Sequence, residues 1–125
     1  MAHILVIDDD PGIRSLLTRI LKARGHDVRA AVDGSAGAKL YRQTPFELVI
    51  TDIVMPNREG IETIRLLRQW DAALPILAIS GSGHDGYLRF AVNLGATAAL
   101  EKPFDSEDLV STVEKLLATT VQHER

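Results

Sequence analysis

A chain of 125 residues is long enough for one compact domain with a full core and too short for two of ordinary size. Hydrophobic residues at 46% and charged residues at 25% describe a globular protein, and a net charge of -3 with scattered Lys and Arg leaves no footprint for DNA or RNA. Cysteine is absent, which excludes disulfides and thiolate metal sites and suits a reducing cytoplasm. The first apolar run, Ile4 to Ile7, is cut off by three aspartates, far short of a signal peptide or a membrane span. Direct binding to nucleic acid or membrane is not expected.

Residues 3 to 7, HILVI, read as a strand because they are β-branched and lack polar alternation. Asp10 and Pro11 start a helix, a side-chain cap followed by a proline whose missing N–H is not needed in the first turn. Ile13, Leu16, Leu17, Ile20 and Leu21 form its apolar stripe, with Arg14, Thr18, Arg19 and Lys22 on the solvated face. Gly25 ends that helix. A weaker strand over 27–32 and a helix over 35–42 follow.

Leu48, Val49 and Ile50 are a strand that stops at Asp52, before a Met55-Pro56 turn and Gly60. Ile61, Ile64, Leu66 and Leu67 mark a helix to about Trp70, expected to be a partly covered end residue. Residues 74–79 form a strand ended by Ser80-Gly81-Ser82-Gly83, residues 85–94 a helix closed by Gly95, and residues 97–100 the last strand. Asp105 or Ser106 caps a final helix carrying Leu109, Val113, Leu116 and Leu117, and the closing ATTVQHER is expected to add no further element. Five strands alternating with five helices predict an α/β fold, a doubly wound parallel sheet with helices on both faces. Residues 1–120 are expected to form the domain, with 121–125 a short tail.

In such sheets the chemistry gathers at the carboxyl ends of the strands, where Asp8, Asp9, Asp52, Ser80 and Lys102 all fall. A five-stranded chain fits the order 2-1-3-4-5, which sets strand 1 beside strand 3. With strands about 4.8 Å apart, the carboxylates of Asp8, Asp9 and Asp52 meet within about 5 to 6 Å, where like charges call for a cation. Oxygen ligands without Cys favour magnesium, with manganese able to substitute. Asp10 is explained by capping. Lys102, about 10 Å from strand 3, can offer its ammonium to an anion held at Asp52. A metal-bound aspartate beside a hydroxyl and an ammonium suits attack on phosphorus to give an aspartyl phosphate, which the Ser80 hydroxyl would sense.

VIDDD at the first strand, VITDIVMPNREG around Asp52, AIS at strand 4 and EKPF at strand 5 together resemble the receiver domain of two-component response regulators, over nearly the whole chain. The resemblance implies a flavodoxin-like fold and a cytoplasmic phosphoacceptor signalling domain, not an enzyme in the usual sense, that takes part in its own phosphorylation and dephosphorylation. Asp52 would accept a phosphoryl group from a phosphohistidine on a histidine kinase or histidine phosphotransfer protein. Asp9, Asp52 and the backbone carbonyl of Val54 would ligate magnesium, with Asp8 acting through water. Ser80 with Gly81 and Lys102 would bind the phosphoryl group and switch the surface for a partner or output domain, and the peptide before Pro103 would be cis. Kinase docking would fall on Ile13, Leu16, Pro103 and Phe104.

The chain departs from that pattern at Ala99, three residues before Lys102, where family members commonly carry an aromatic switch residue. The output would then rest on Ser80, the strand 4 loop and helix 4, with the chain a monomer or weak dimer. Val54 is apolar where several relatives are polar, a difference expected to alter phosphate lifetime. A phosphatase of the haloacid dehalogenase type would use Asp8 as nucleophile but leaves Asp52 idle, and a flavodoxin-like flavin site would not carry DDDPG in its phosphate loop. A receiver-like module that binds partners without phosphorylation is a further alternative, disfavoured because every required residue type is present. A stand-alone receiver is expected in preference to the first piece of a longer regulator.

Overall fold

The computed structural model describes residues 2–53, 59–81 and 85–123, with the side chains of 59, 85–88, 90 and 119–123 also left aside. Strands β1 (His3–Ile7), β2 (Asp27–Ala31), β3 (Leu48–Asp52), β4 (Ile76–Ser80) and β5 (Ala98–Glu101) alternate with helices α1 (Pro11–Ala23), α2 (Gly34–Gln43), α3 (Glu59–Trp70), α4 (Asp85–Leu94) and α5 (Ser106–His123). All pairings are parallel, as the alternation predicts, and the strand order is β2-β1-β3-β4-β5, the doubly wound order expected for five strands.

The central strands are buried along their whole length because each face carries its own core. Leu5, Ile7, Val49, Ile76 and Ala78 pack with Ile64, Leu67 and Ala91 from α3 and α4, and with Ala36 and Leu40 of α2. The intervening residues Ile4, Val6, Leu48, Ile50, Leu77 and Ile79 meet Leu17 and Leu21 of α1 and Leu109, Val113 and Leu116 of α5. The period of two along each strand thus sorts the apolar side chains between two helical layers. Each fully buried Leu or Ile contributes about 2 kcal/mol of transfer free energy.

Short acids set the helix starts. Asp10 caps α1 by accepting the Gly12 amide at 2.8 Å, Asp33 caps α2 by accepting that of Ala36 at 2.8 Å, and Asp105 accepts that of Asp108 at 2.7 Å at the head of α5. Gly25 after α1 and Gly95 after α4 take positive φ values of 88° and 132°, which explains glycine at both exits.

Three expectations need correction. Strand β4 starts at Ile76 rather than at residue 74, because the Leu74 amide turns back to Asp71 and Pro75 has none to give. Leu66 is 36% exposed while Ile64 and Leu67 are fully buried, since two residues beyond Ile64 lie about 200° around the helix. Helix α5 runs on to His123, so most of the expected tail extends it; the run contains no Gly or Pro to stop a helix. Among the described residues no helix is long and apolar enough to cross a membrane.

Candidate functional site

Parallel pairing of β1 with β3, with Ile7 opposite Thr51, brings Asp8 and Asp52 side by side at the carboxyl rim. Asp8 is fully buried and Asp52 is 5% exposed, whereas Asp9 is open to solvent. One oxygen from each of the three carboxylates lies within 4.8 Å of the others. Helix α3 begins close beneath them. A Cβ on Gly60 would collide with the Asp52 carbonyl oxygen and Ile53 Cα, so only glycine allows that approach.

Lys102 reaches this group from the end of β5. Its Nζ lies 3.1 Å from Asp8 Oδ2 and 3.2 Å from Asp52 Oδ2, and its backbone N–H donates to the Ser80 carbonyl. The ammonium therefore serves two carboxylates at once, where the sequence suggested Asp52 alone. Burial pushes the Asp8 carboxyl above the usual range, the Asp10 amide at 2.9 Å works against this, and the Asp52 charge adds to the rise. Burial pulls Lys102 down, but the charges of Asp52 and Asp8 outweigh it and the ammonium titrates above the ordinary lysine range. One ammonium beside three carboxylates leaves a negative excess at a rim where Asp8 and Asp52 are buried and Asp9 is exposed.

Ser80 sits at the end of β4, fully buried, and its Oγ has no hydrogen-bond partner among the described residues. An unsatisfied buried hydroxyl costs about 1 to 3 kcal/mol, which marks Ser80 as a candidate site residue. Oxygen-only donors and excess negative charge, with Asp9 open to solvent so that bound waters can remain, fit a hard dication of the magnesium type. Asp10 is kept out by its capping role.

Gly81 follows Ser80 directly past β4, while Val54, Met55, Pro56, Ser82 and Gly83 lie outside the described residues. The Lys102-Pro103 peptide is cis. Ile13 and Phe104 are half-buried against the α1/α5 core, and Leu16 and Pro103 are exposed, so this surface is only partly apolar and open. Ala99 pairs with Ala78 of β4 and is half-buried. Arg14, expected on the solvated face of α1, instead donates from Nη1 to the Asp8 carbonyl at 2.7 Å. The only hint in the sequence is its place one turn after the capping Asp10.

The sequence model of the response regulator receiver domain matches residues 4–114. Protein PilH of Pseudomonas aeruginosa is 36% identical over 121 residues, covering 94% of this chain and 99% of PilH. The DNA-binding dual master transcriptional regulator RpaA of Synechocystis is 35% identical over 122 residues, covering 96% of this chain; the chain spans about half of RpaA, 51%. The crystal structure of the receiver domain of NtrX from Brucella abortus superposes with a TM-score of 0.89 at 32% identity, covering 93% of this chain and 98% of that one. Rim geometry, sheet order and these likenesses agree: the chain belongs to the response regulator receiver domain family of two-component signalling.

Proposed function

We propose that Asp52 is the phosphoryl acceptor and that Asp8, Asp9, Ser80 and Lys102 build the site around it. The observation that carries this reading is the meeting of Lys102 Nζ with both Asp8 and Asp52 at the rim where the buried Ser80 hydroxyl has no partner among the described residues. A carboxylate oxygen of Asp52 attacks the phosphorus of a phosphohistidine on a histidine kinase or phosphotransfer protein. A P–O bond forms as the P–N bond breaks, and the released electron pair returns to the imidazole nitrogen, which takes a proton. Lys102 then shifts its ammonium toward the phosphoryl oxygens, and Ser80 donates its hydroxyl to one of them.

Receiver domains as a family are signalling domains rather than classical enzymes, bind magnesium at an acidic pocket, and work with histidine kinases and output domains. In this chain Asp8, Asp9 and Asp52 would hold the ion, together with the Val54 carbonyl outside the described residues. Bound there, magnesium supplies positive charge against the phosphoryl oxygens, and manganese, a similar oxygen-seeking dication, substitutes for it. The side chains themselves take part in adding and removing the phosphoryl group. Gly81, which directly follows Ser80, is assigned with it to phosphoryl binding. The kinase docks at Ile13, Leu16, Pro103 and Phe104, in a cytoplasmic setting; unchanged transfer to Ile13→Asp would remove that assignment.

The test is intact mass after exposure to magnesium and a small phosphodonor such as acetyl phosphate. Wild type should gain one phosphoryl group and Asp52→Asn none. Equal labelling of the two would move the chemistry to Asp8 and overturn the reading.

A further inference from the structure

We infer that Arg14 is a positioning residue for the magnesium seat, and this rests on the reading of Asp8, Asp9 and Asp52 given above. Past Ile7, β1 leaves the ladder, and the Asp8 carbonyl must find a donor elsewhere. Arg14 provides it from the first turn of α1, donating from Nη1 at 2.7 Å. The other polar groups of Asp8 are fixed as well. Its amide donates to Ala31 at 3.2 Å, its Oδ1 accepts the Asp10 amide at 2.9 Å and its Oδ2 accepts Lys102 at 3.1 Å.

Asp9 is different. Its carboxylate is exposed and has no hydrogen-bonded partner among the described residues, so its aim is set by the backbone that carries it. The Asp8 carbonyl and the Asp9 amide belong to one planar peptide group, so holding that oxygen fixes the direction in which Asp9 leaves the strand. Arg14 is the side chain that holds it. A guanidinium acting only through its charge would repel a dication, and its loss would tighten binding. A guanidinium that orients Asp9 has the opposite effect, which makes the sign of the change decisive.

The experiment is an NMR titration with magnesium chloride, following the amides of Asp8, Asp9 and Asp10 in wild type, Arg14→Met and Arg14→Lys. The methionine variant, which keeps the aliphatic stem, should bind magnesium about tenfold more weakly, the scale of a lost hydrogen bond to a charged group. The lysine variant, with a single donor nitrogen on a more flexible stem in place of a planar fork, should fall between. The magnesium concentration giving half-maximal labelling by acetyl phosphate should rise by the same factor. Binding as tight as wild type, or tighter, in Arg14→Met would overturn the inference. Should that variant lose its fold, Arg14→Lys decides alone, weaker binding supporting the inference and equal or tighter binding overturning it. If wild type binds no more tightly than Asp9→Asn, the seat itself is misassigned and the inference falls with it.

Discussion

The two ends of the sheet are built on opposite terms. At the carboxyl rim, three carboxylates gather, two of them on one ammonium, and a buried hydroxyl has no partner among the described residues. At the amino rim, polar groups are paired off. Arg68, near the end of α3, donates to the carbonyls of Asp71, Ala72, Leu74 and Gly95, tying α3, the entry to β4 and the exit of α4 together. Tyr41 stacks between Phe46 and Trp70 with ring centroids 6.4 and 6.1 Å away, its hydroxyl donates to Asp71, and Arg42 lies 5.2 Å above the Trp70 ring. His3 Nδ1 is the exception there, buried without a partner. The contrast separates a rim whose polar groups satisfy one another from one that keeps like charges close together, the usual mark of a functional site.

The largest way to break this contrast is at the amino rim. Arg68→Met should lower stability by about 2 to 4 kcal/mol, read from the urea midpoint, because several carbonyls lose a charged donor together. At the carboxyl rim the sign reverses. Asp8→Asn should raise stability by about 1 kcal/mol at neutral pH while weakening magnesium binding. Burial raises the Asp8 carboxyl, so the folded chain holds that proton more tightly than the unfolded one and pays for the charge above both titrations. Lost stability in Asp8→Asn would mean that the acid cluster is not under stress. The smallest effect is at Tyr41, where burial and then the Asp71 carboxylate push the phenol up from 10.0 to about 12. Stability present below the unfolded value should be lost as pH rises through the folded one, and Tyr41→Phe should flatten that part of the alkaline profile at a cost of about 0.5 kcal/mol.

Much of this architecture was legible in the sequence because its signals are periodic or chemically loud. The runs ILVI, LVI and ILAI have no polar alternation and read as strands covered on both faces, and Asp10-Pro11 marked the start of α1 to the residue. Carboxylates at the ends of β1 and β3 became a site once the order of strands made them neighbours. Arg68 and Arg14 were not legible as anything but solvated helix arginines. Their acceptors are backbone carbonyls, which every residue has, so no residue type announces them. The length of α5 was missed for a related reason: ATTVQH lacks both a breaker and a strong apolar stripe.

The proposed transfer requires a carboxylate oxygen of Asp52 to form the bond to phosphorus, and the product can be fixed in place chemically. Borohydride reduces an aspartyl phosphate to homoserine, and peptide mapping after treatment with magnesium and acetyl phosphate locates the converted residue. Conversion at position 52 alone is the predicted result. Conversion at Asp8 or Asp9, or at neither rim strand, would contradict it.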